Sequence, residues 1–462
     1  MTSIHFVGIG GIGTSALARW FLKHNRQVSG SDAIASEITR QLKKEGVKIF
    51  IGHKAKNLSP KTELVIYSAA IPADNPEIKK AKELRFPVRS YAEILGELTK
   101  RYKTIAVAGA HGKSTAASLS SLVLIKAGFD PTAIIGTKLK EFKNSNFRNG
   151  ESEYLVVEAD EHNNSFSNYF PSAAIITNID REHLDYYKNL TNIKKAFLGF
   201  INNIKPDGVL VLNKDDKNLF SLKNKIQKIA GKNSLKVYWY STGVNSRIIS
   251  RLSASLKIFG EHNISNALAV YTLAKALNIK EKDIFTALSS YRGAWRRMEY
   301  KGRFKVKGLR FKVKVFDDYA HHPTEVKATL AGIARKWPKS RLICVFQPHQ
   351  AKRLSLLFKD FIGAFDAADA LILLPIYRVQ GRDKAPQNVN SEKLALTIKH
   401  RIKNLKPKTS NLKTIVYLPH PKKLKQVLEN FLRSSALSPR QSAIVVMMGA
   451  GDIYKLTSKL IQ

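Results

Sequence analysis

Seven consecutive residues, Gly109, Ala110, His111, Gly112, Lys113, Ser114 and Thr115, carry the strongest chemical signal in the chain. They follow the apolar run Thr104–Ala108 and precede a stretch of small residues from Ala116 to Val123. Phosphate oxygens need closely spaced backbone N–H donors, and glycines let the chain curl around them. A helix N-terminus adds partial positive charge, Lys113 adds a full one, and the Ser114 hydroxyl suits Mg2+. The spacing is not that of a complete G-x-x-x-x-G-K-[ST] loop. Val107 stands five before Gly112, and a glycine stands three before it instead.

Four further groups have chemical character. Gly8, Gly10 and Gly13 follow the first β-branched run in the spacing of a dinucleotide fingerprint, with Asp32 after a second such run. This predicts a phosphate or nucleotide near a helix N-terminus without choosing which. Glu158, Asp160 and Glu161 end one apolar strand, and Asp180, Glu182, His183 and Asp185 follow another. Carboxylates at the C-terminal ends of parallel strands face the crevice where ligands bind, and hard oxygens there suit Mg2+ on ATP phosphates. Asp317, Asp318, Tyr319, His321 and His322 end a third run, where ligand roles and a plain helix start are equally open. His349, Lys352 and Arg353 sit after a fourth, where cations either hold a carboxylate or are simply solvated.

These groups need strands to end beside them and helices to begin there. Short β-branched runs alternate with longer amphipathic ones along the chain, the signature of βαβ units and a parallel sheet. The pattern starts afresh three times, and 462 residues at roughly 100–200 per domain suit about three domains. The reading is therefore α/β in three modules. These are an N-terminal Rossmann-like domain over 1–100, a central P-loop-type ATPase domain with a parallel sheet over 101–298, and a C-terminal dinucleotide-fold-like domain over 299–462.

Composition narrows the setting. With 44% hydrophobic and 24% charged residues the chain has ordinary globular usage, which excludes wholesale disorder. The 77 Lys and Arg against 36 Asp and Glu leave a formal net charge of +41, which raises nucleic acid, acidic membranes or small polyanions as partners. The cations are spread along the chain rather than massed in one arm, which favours a solvated lysine-rich surface. A single cysteine, Cys344, excludes an internal disulfide and fits a reducing compartment. No run approaches the ~20 apolar residues of a membrane span, and the N-terminus goes straight into a strand-like start. A cytoplasmic protein without membrane insertion is expected.

Taken together, ten segments in order resemble the Mur ligase family: IHFVGIGGIGTSALA, VIYSAAIPADNPE, VAGAHGKST, VVEADE, TNIDREHLDYY, GEHNISNALA, YRGAWRRME, DDYAHHPTEV, FQPHQAKR and MMGAGDI. The resemblance spans essentially the whole chain. It implies a UDP-sugar domain, an ATPase domain and an amino-acid domain in that order. It implies ATP-dependent amide formation with Mg2+, in which a muramoyl carboxylate takes the γ-phosphate and an amine then displaces it. Within the family the motifs point to UDP-N-acetylmuramate and L-alanine as substrates, and to a monomer or homodimer.

Residue by residue, the resemblance gives Gly109, Ala110, His111, Gly112, Lys113, Ser114 and Thr115 to the ATP phosphates. It puts Ser114 and Glu158 on Mg2+ and His183 on a second Mg2+. Asn263, Asn266 and Arg297 become nucleotide contacts, Asp317 turns towards the ribose, and Tyr319 and His321 lie near the nucleotide–substrate junction. Gly10, Gly11, Gly13, Asp32, Ser68, Ala70 and Ile71 form the UDP-sugar site. Lys113, Glu158, His183, His349 and Arg353 are the expected catalytic set, the last two around the incoming amino acid. Two departures stand out. Ala110 and Ser114 replace the family's usual threonines, and Gln350 stands where many relatives carry an Arg for the amino-acid carboxylate. Ligation of another amino acid or a peptide therefore remains a competing reading. A basic nucleic-acid-binding NTPase and a nicotinamide oxidoreductase remain from other classes.

Overall fold

Ile4, Phe6 and Val7 are all buried in the strand Ser3–Val7, the pattern of a parallel strand covered on both faces. Gln27–Asp32 and Thr62–Tyr67 pair with it in parallel on either side, and Lys48–Ile51 and Val88–Ser90 complete a five-stranded sheet. The strand order reverses at the central strand, so the turn Gly8–Gly13 opens at a topological switch point. The computed structural model describes residues 3–308, 312–378, 383, 389–404, 410–433 and 442–461. It adopts the three α/β sheets that the chain's alternating pattern calls for.

One polar network sits inside the first sheet's packing. Glu77, fully buried at the start of the helix Pro76–Glu83, accepts from Ser31 Oγ at 2.5 Å and Asn57 Nδ2 at 2.5 Å. The His5 ring lies 3.4 Å from the same carboxylate. Burial pushes the Glu77 carboxyl up, but these donors outweigh it and hold it below the ordinary glutamate value.

The second sheet has seven strands with Lys103–Ala108 at its centre, between Ala173–Ile176 and Tyr154–Ala159, all parallel. Thr132–Leu139 continues in parallel on one side, and Ser145–Arg148 closes that edge antiparallel. Val209–Asn213 and Lys236–Tyr240 extend the other side. The helix Lys113–Lys126 is buried from Ser114 to Leu124. Two of its buried serines are satisfied within the helix: Ser118 and Ser121 donate back to the carbonyls of Ser114 at 2.6 Å and Ala117 at 2.9 Å. Arg19, on the helix after the first glycine turn, donates to Glu45 at 2.8 Å and to Asn146 of the second sheet's edge strand at 2.8 Å.

The third sheet has six strands. Glu299–Phe304 runs antiparallel at one edge, and Lys312–Asp318, Ser442–Met448, Arg341–Phe346, Ala370–Leu373 and Thr414–Tyr417 follow in parallel. Cys344 is fully buried in its middle. The chain gathers into two compact units, Met1–Lys257 with Ile264–Arg292, and Ile258–Asn263 with Gly293–Gln462, so the first two sheets share a unit. Among the described residues no helix is long and apolar enough to cross a membrane.

Candidate active site

Three parallel strands of the second sheet end side by side, and residues 109–115, 158–161 and 177–185 gather at their C-terminal ends. The first loop needs both its glycines. Gly109 and Gly112 have φ of +132° and +86°, and a Cβ on Gly112 would stand 2.5 Å from Asn266 Oδ1. Asn178 braces the loop from the neighbouring strand end. Its carbonyl accepts from Ala110 N at 3.1 Å, and its side chain accepts from His111 N at 2.9 Å. Asn266 thus lies against the loop. The described contact of Asn263 is local, its amide donating to the Phe259 carbonyl at 2.7 Å.

Lys113 begins the helix and turns its ammonium back over the loop, donating to Gly109 O at 2.7 Å and to Glu161 Oε2 at 2.8 Å. Burial works against that charge, but Glu161 and Asp160 more than offset it and hold Lys113 above the ordinary lysine value. Burial likewise drives the Glu161 carboxyl up to about 7, against the pull of Lys113. Ser114 Oγ donates to Glu158 Oε2 at 3.0 Å, and Gly136 N donates to Glu158 Oε1 at 2.6 Å. A hydroxyl and a carboxylate oxygen thus lie together beside the phosphate loop, a hard-oxygen pair of the kind Mg2+ takes. Ligand atoms of Asp160, Glu161 and His183 lie within 4.8 Å of one another. His183 sits at φ +52° and faces His162 at a ring distance of 4.5 Å. Glu161, expected among the carboxylates suited to Mg2+, is instead the ion-pair partner of Lys113.

The first sheet brings its own residues together. A Cβ on Gly8 would meet Ser68 and Ile71 at 3.1 Å, Ala70 N donates to Ser68 Oγ at 3.2 Å, and Gly10 N donates to Asp32 Oδ2 at 2.8 Å. Asp32 is therefore engaged with the loop that it follows. Gly10, Gly11 and Gly13 open the helix Ile12–Lys23 or directly precede it.

In the second unit, Arg297 lies over the Tyr319 ring at 5.2 Å and donates to Glu325 Oε1 at 3.2 Å. His321 is 5.3 Å from Tyr319 and 5.9 Å from His349, which stacks on Tyr377 at 5.5 Å. Arg353 approaches His349 Nδ1 at 3.3 Å. Asp317 stands apart from this row. Its carboxylate accepts from Thr457, while Asp318 accepts from Met298 N at 2.9 Å and feels the Arg297 charge. Burial raises both aspartates to about 6. Successive strand residues point to opposite faces, so the motif's adjacent acids part company.

Residues 3–103 match the model described as Mur ligase family, catalytic domain; 107–274 match the Mur ligase middle domain, and 302–451 the Mur ligase, glutamate ligase domain. The chain belongs to the Mur ligase family. A UDP-N-acetylmuramate–L-alanine ligase of Clostridium botulinum is 40% identical to it, over 98% of this chain and 96% of that protein. One of Clostridium perfringens is 39% identical over the same shares. Among solved structures, a UDP-N-acetylmuramate–alanine ligase from Thermotoga maritima matches with a TM-score of 0.74 at 24% identity, covering 100% of this chain and 98% of that one. A murein peptide ligase from Psychrobacter arcticus follows the same Mur ligase fold with a TM-score of 0.66 at 22% identity, again over 100% and 98%. Family membership replaces the nicotinamide oxidoreductase reading of the first glycine turn.

Proposed function

We propose that the protein joins L-alanine to the lactyl carboxylate of UDP-N-acetylmuramate, forming UDP-N-acetylmuramoyl-L-alanine, ADP and phosphate in peptidoglycan precursor synthesis. The observation that carries this is 40% identity over nearly the full length to a ligase of that printed name. The geometry gives the reading a mechanism. The reaction must bring a carboxylate anion to a triphosphate, so its barrier is lowered chiefly by positioning and by neutralising charge. Lys113 and the amides of Gly109–Thr115 hold the β- and γ-phosphates. The carboxylate oxygen attacks the γ-phosphorus, ADP leaves, and an acyl phosphate results. The amine of L-alanine then attacks the acyl carbon, phosphate leaves, and the amine proton passes to solvent or a nearby base.

Ser114 and Glu158 would hold one Mg2+ and His183 a second, and the ions when bound neutralise phosphate charge. His349 and Arg353 face the amino acid in this reading, and Asn263, Asn266, Arg297, Tyr319 and His321 serve the nucleotide end. We take residues 1–100, 101–298 and 299–462 as the UDP-sugar, ATP and amino-acid domains, and the cytoplasm as the compartment. The test is phosphate release from ATP with Mg2+ and UDP-N-acetylmuramate against a panel of amino acids. Release with L-alanine above all others is the expected result; preference for another amino acid or a peptide replaces the substrate.

A further inference from the structure

The glycines of the turn after the strand Ser3–Val7 make room for two of the chain's own side chains. A Cβ on Gly10 would stand 2.8 Å from Asp32 Oδ2, and one on Gly13 would stand 2.9 Å from Cζ and 3.0 Å from the hydroxyl oxygen of Tyr91. Tyr91 is the first residue of the helix Tyr91–Arg101, and its place is fixed by a capping box. Glu93 N donates to Ser90 Oγ at 3.2 Å, and Ser90 N donates to Glu93 Oε2 at 2.6 Å. Among the described residues no hydrogen bond reaches the Tyr91 hydroxyl. Burial, then the charges of Glu158 and Asp160, hold its proton on well above the ordinary tyrosine value. Tyr91 therefore touches the first glycine turn while feeling the acids of the second sheet's ATP-site loop.

We propose that Tyr91 positions the UDP-sugar by donating its hydroxyl hydrogen to an anionic oxygen of that substrate, where it passes from the first glycine turn towards the ATP-site acids. The inference rests on the function proposed above. An anion arriving beside Glu158 and Asp160 is repelled, and a neutral donor that stays protonated offsets this without adding a charge of its own. Tyr91→Phe keeps the ring against Gly13 and removes only the donor.

Binding of UDP-N-acetylmuramate and of UDP is measured by calorimetry without ATP, and KM for each substrate from phosphate release. For Tyr91→Phe the expected result is UDP-N-acetylmuramate binding weakened roughly tenfold to a hundredfold, the range for a hydrogen bond to a charged acceptor. KM for that substrate should rise in step, with ATP and L-alanine constants unchanged. A parallel loss for UDP makes the diphosphate the acceptor; unchanged UDP binding makes it the lactyl carboxylate. Unaltered UDP-N-acetylmuramate binding, or an equal loss for ATP, overturns the role of Tyr91. Absence of UDP-N-acetylmuramate binding by the unaltered protein overturns the proposed function along with it. Tyr91→Leu, with thermal unfolding followed alongside, separates a lost donor from lost packing: it should match Tyr91→Phe in UDP-sugar affinity.

Discussion

The Lys113 ammonium lies 2.8 Å from Glu161, and the Glu161 side chain is only 2% exposed. Removing either partner leaves the other's charge where water cannot reach it well. Lys113→Met should therefore cost stability as well as activity. Breaking such a pair costs about 3–5 kcal/mol when the remaining charge persists, less whatever Glu161 recovers by taking a proton. Turnover should fall roughly a hundredfold or more. Adding Glu161→Gln should restore the melting temperature and not the activity. A double variant no more stable than Lys113→Met contradicts the pairing.

Glu158→Gln keeps an oxygen for Gly136 N and removes the charge beside Ser114. Phosphate release should then need far more Mg2+, with the UDP-sugar constant unchanged. His183→Ala should slow single-turnover chemistry more than it weakens ATP binding. Wild-type metal titrations in both variants would reduce these residues to supports of their loops.

At the other end, Arg353 is the cation beside His349, and Gln350 offers only neutral donors. KM for L-alanine should be high, and Gln350→Arg should lower it with little change in the ATP constant. Arg353→Ala should nearly abolish amino-acid use while UDP-sugar binding persists. The opposite pattern moves the amino acid elsewhere.

Glu77 gives the first sheet a pH dependence. Its folded value is lowered, so its stabilisation is complete above the ordinary glutamate value of roughly 4.3 and is lost as pH falls through the lower folded value. Denaturation midpoints of the unaltered protein should drop across that acid window. Glu77→Gln should be less stable at pH 7 and show a shallower acid decline.

Much of this was legible in the residues because the loops announce themselves by type: glycines, a lysine and hydroxyls after an apolar strand. What escaped did so for physical reasons. Glu299–Phe304 forms a strand although Glu, Lys and Arg alternate through it, because an edge strand needs only one buried face and Phe304 alone is fully buried. The pair Thr132–Leu139 and Ser145–Arg148 leaves a weak pattern in the sequence because Gly136 interrupts the apolar run. Glu161 lies 48 positions from Lys113, so their contact exists only once the strands are paired. Asp317 and Asp318 cannot be told apart by spacing, because only the strand's pleat decides which of them meets Arg297.

The outermost strands of the three sheets give part of the basic excess a use unrelated to phosphate. Of the six edge strands, five carry Lys or Arg: Lys48, Arg89, Arg148, Lys236, and Lys301 with Arg303. An open ladder invites a second chain to pair with it, and cations along the rim oppose that by repulsion and by the cost of stripping their water. Among the described residues Thr414–Tyr417 is the edge strand with no Lys or Arg inside its span, and Lys413 stands just before it. Crowded copies of this protein should accordingly resist strand-by-strand aggregation at these five rims.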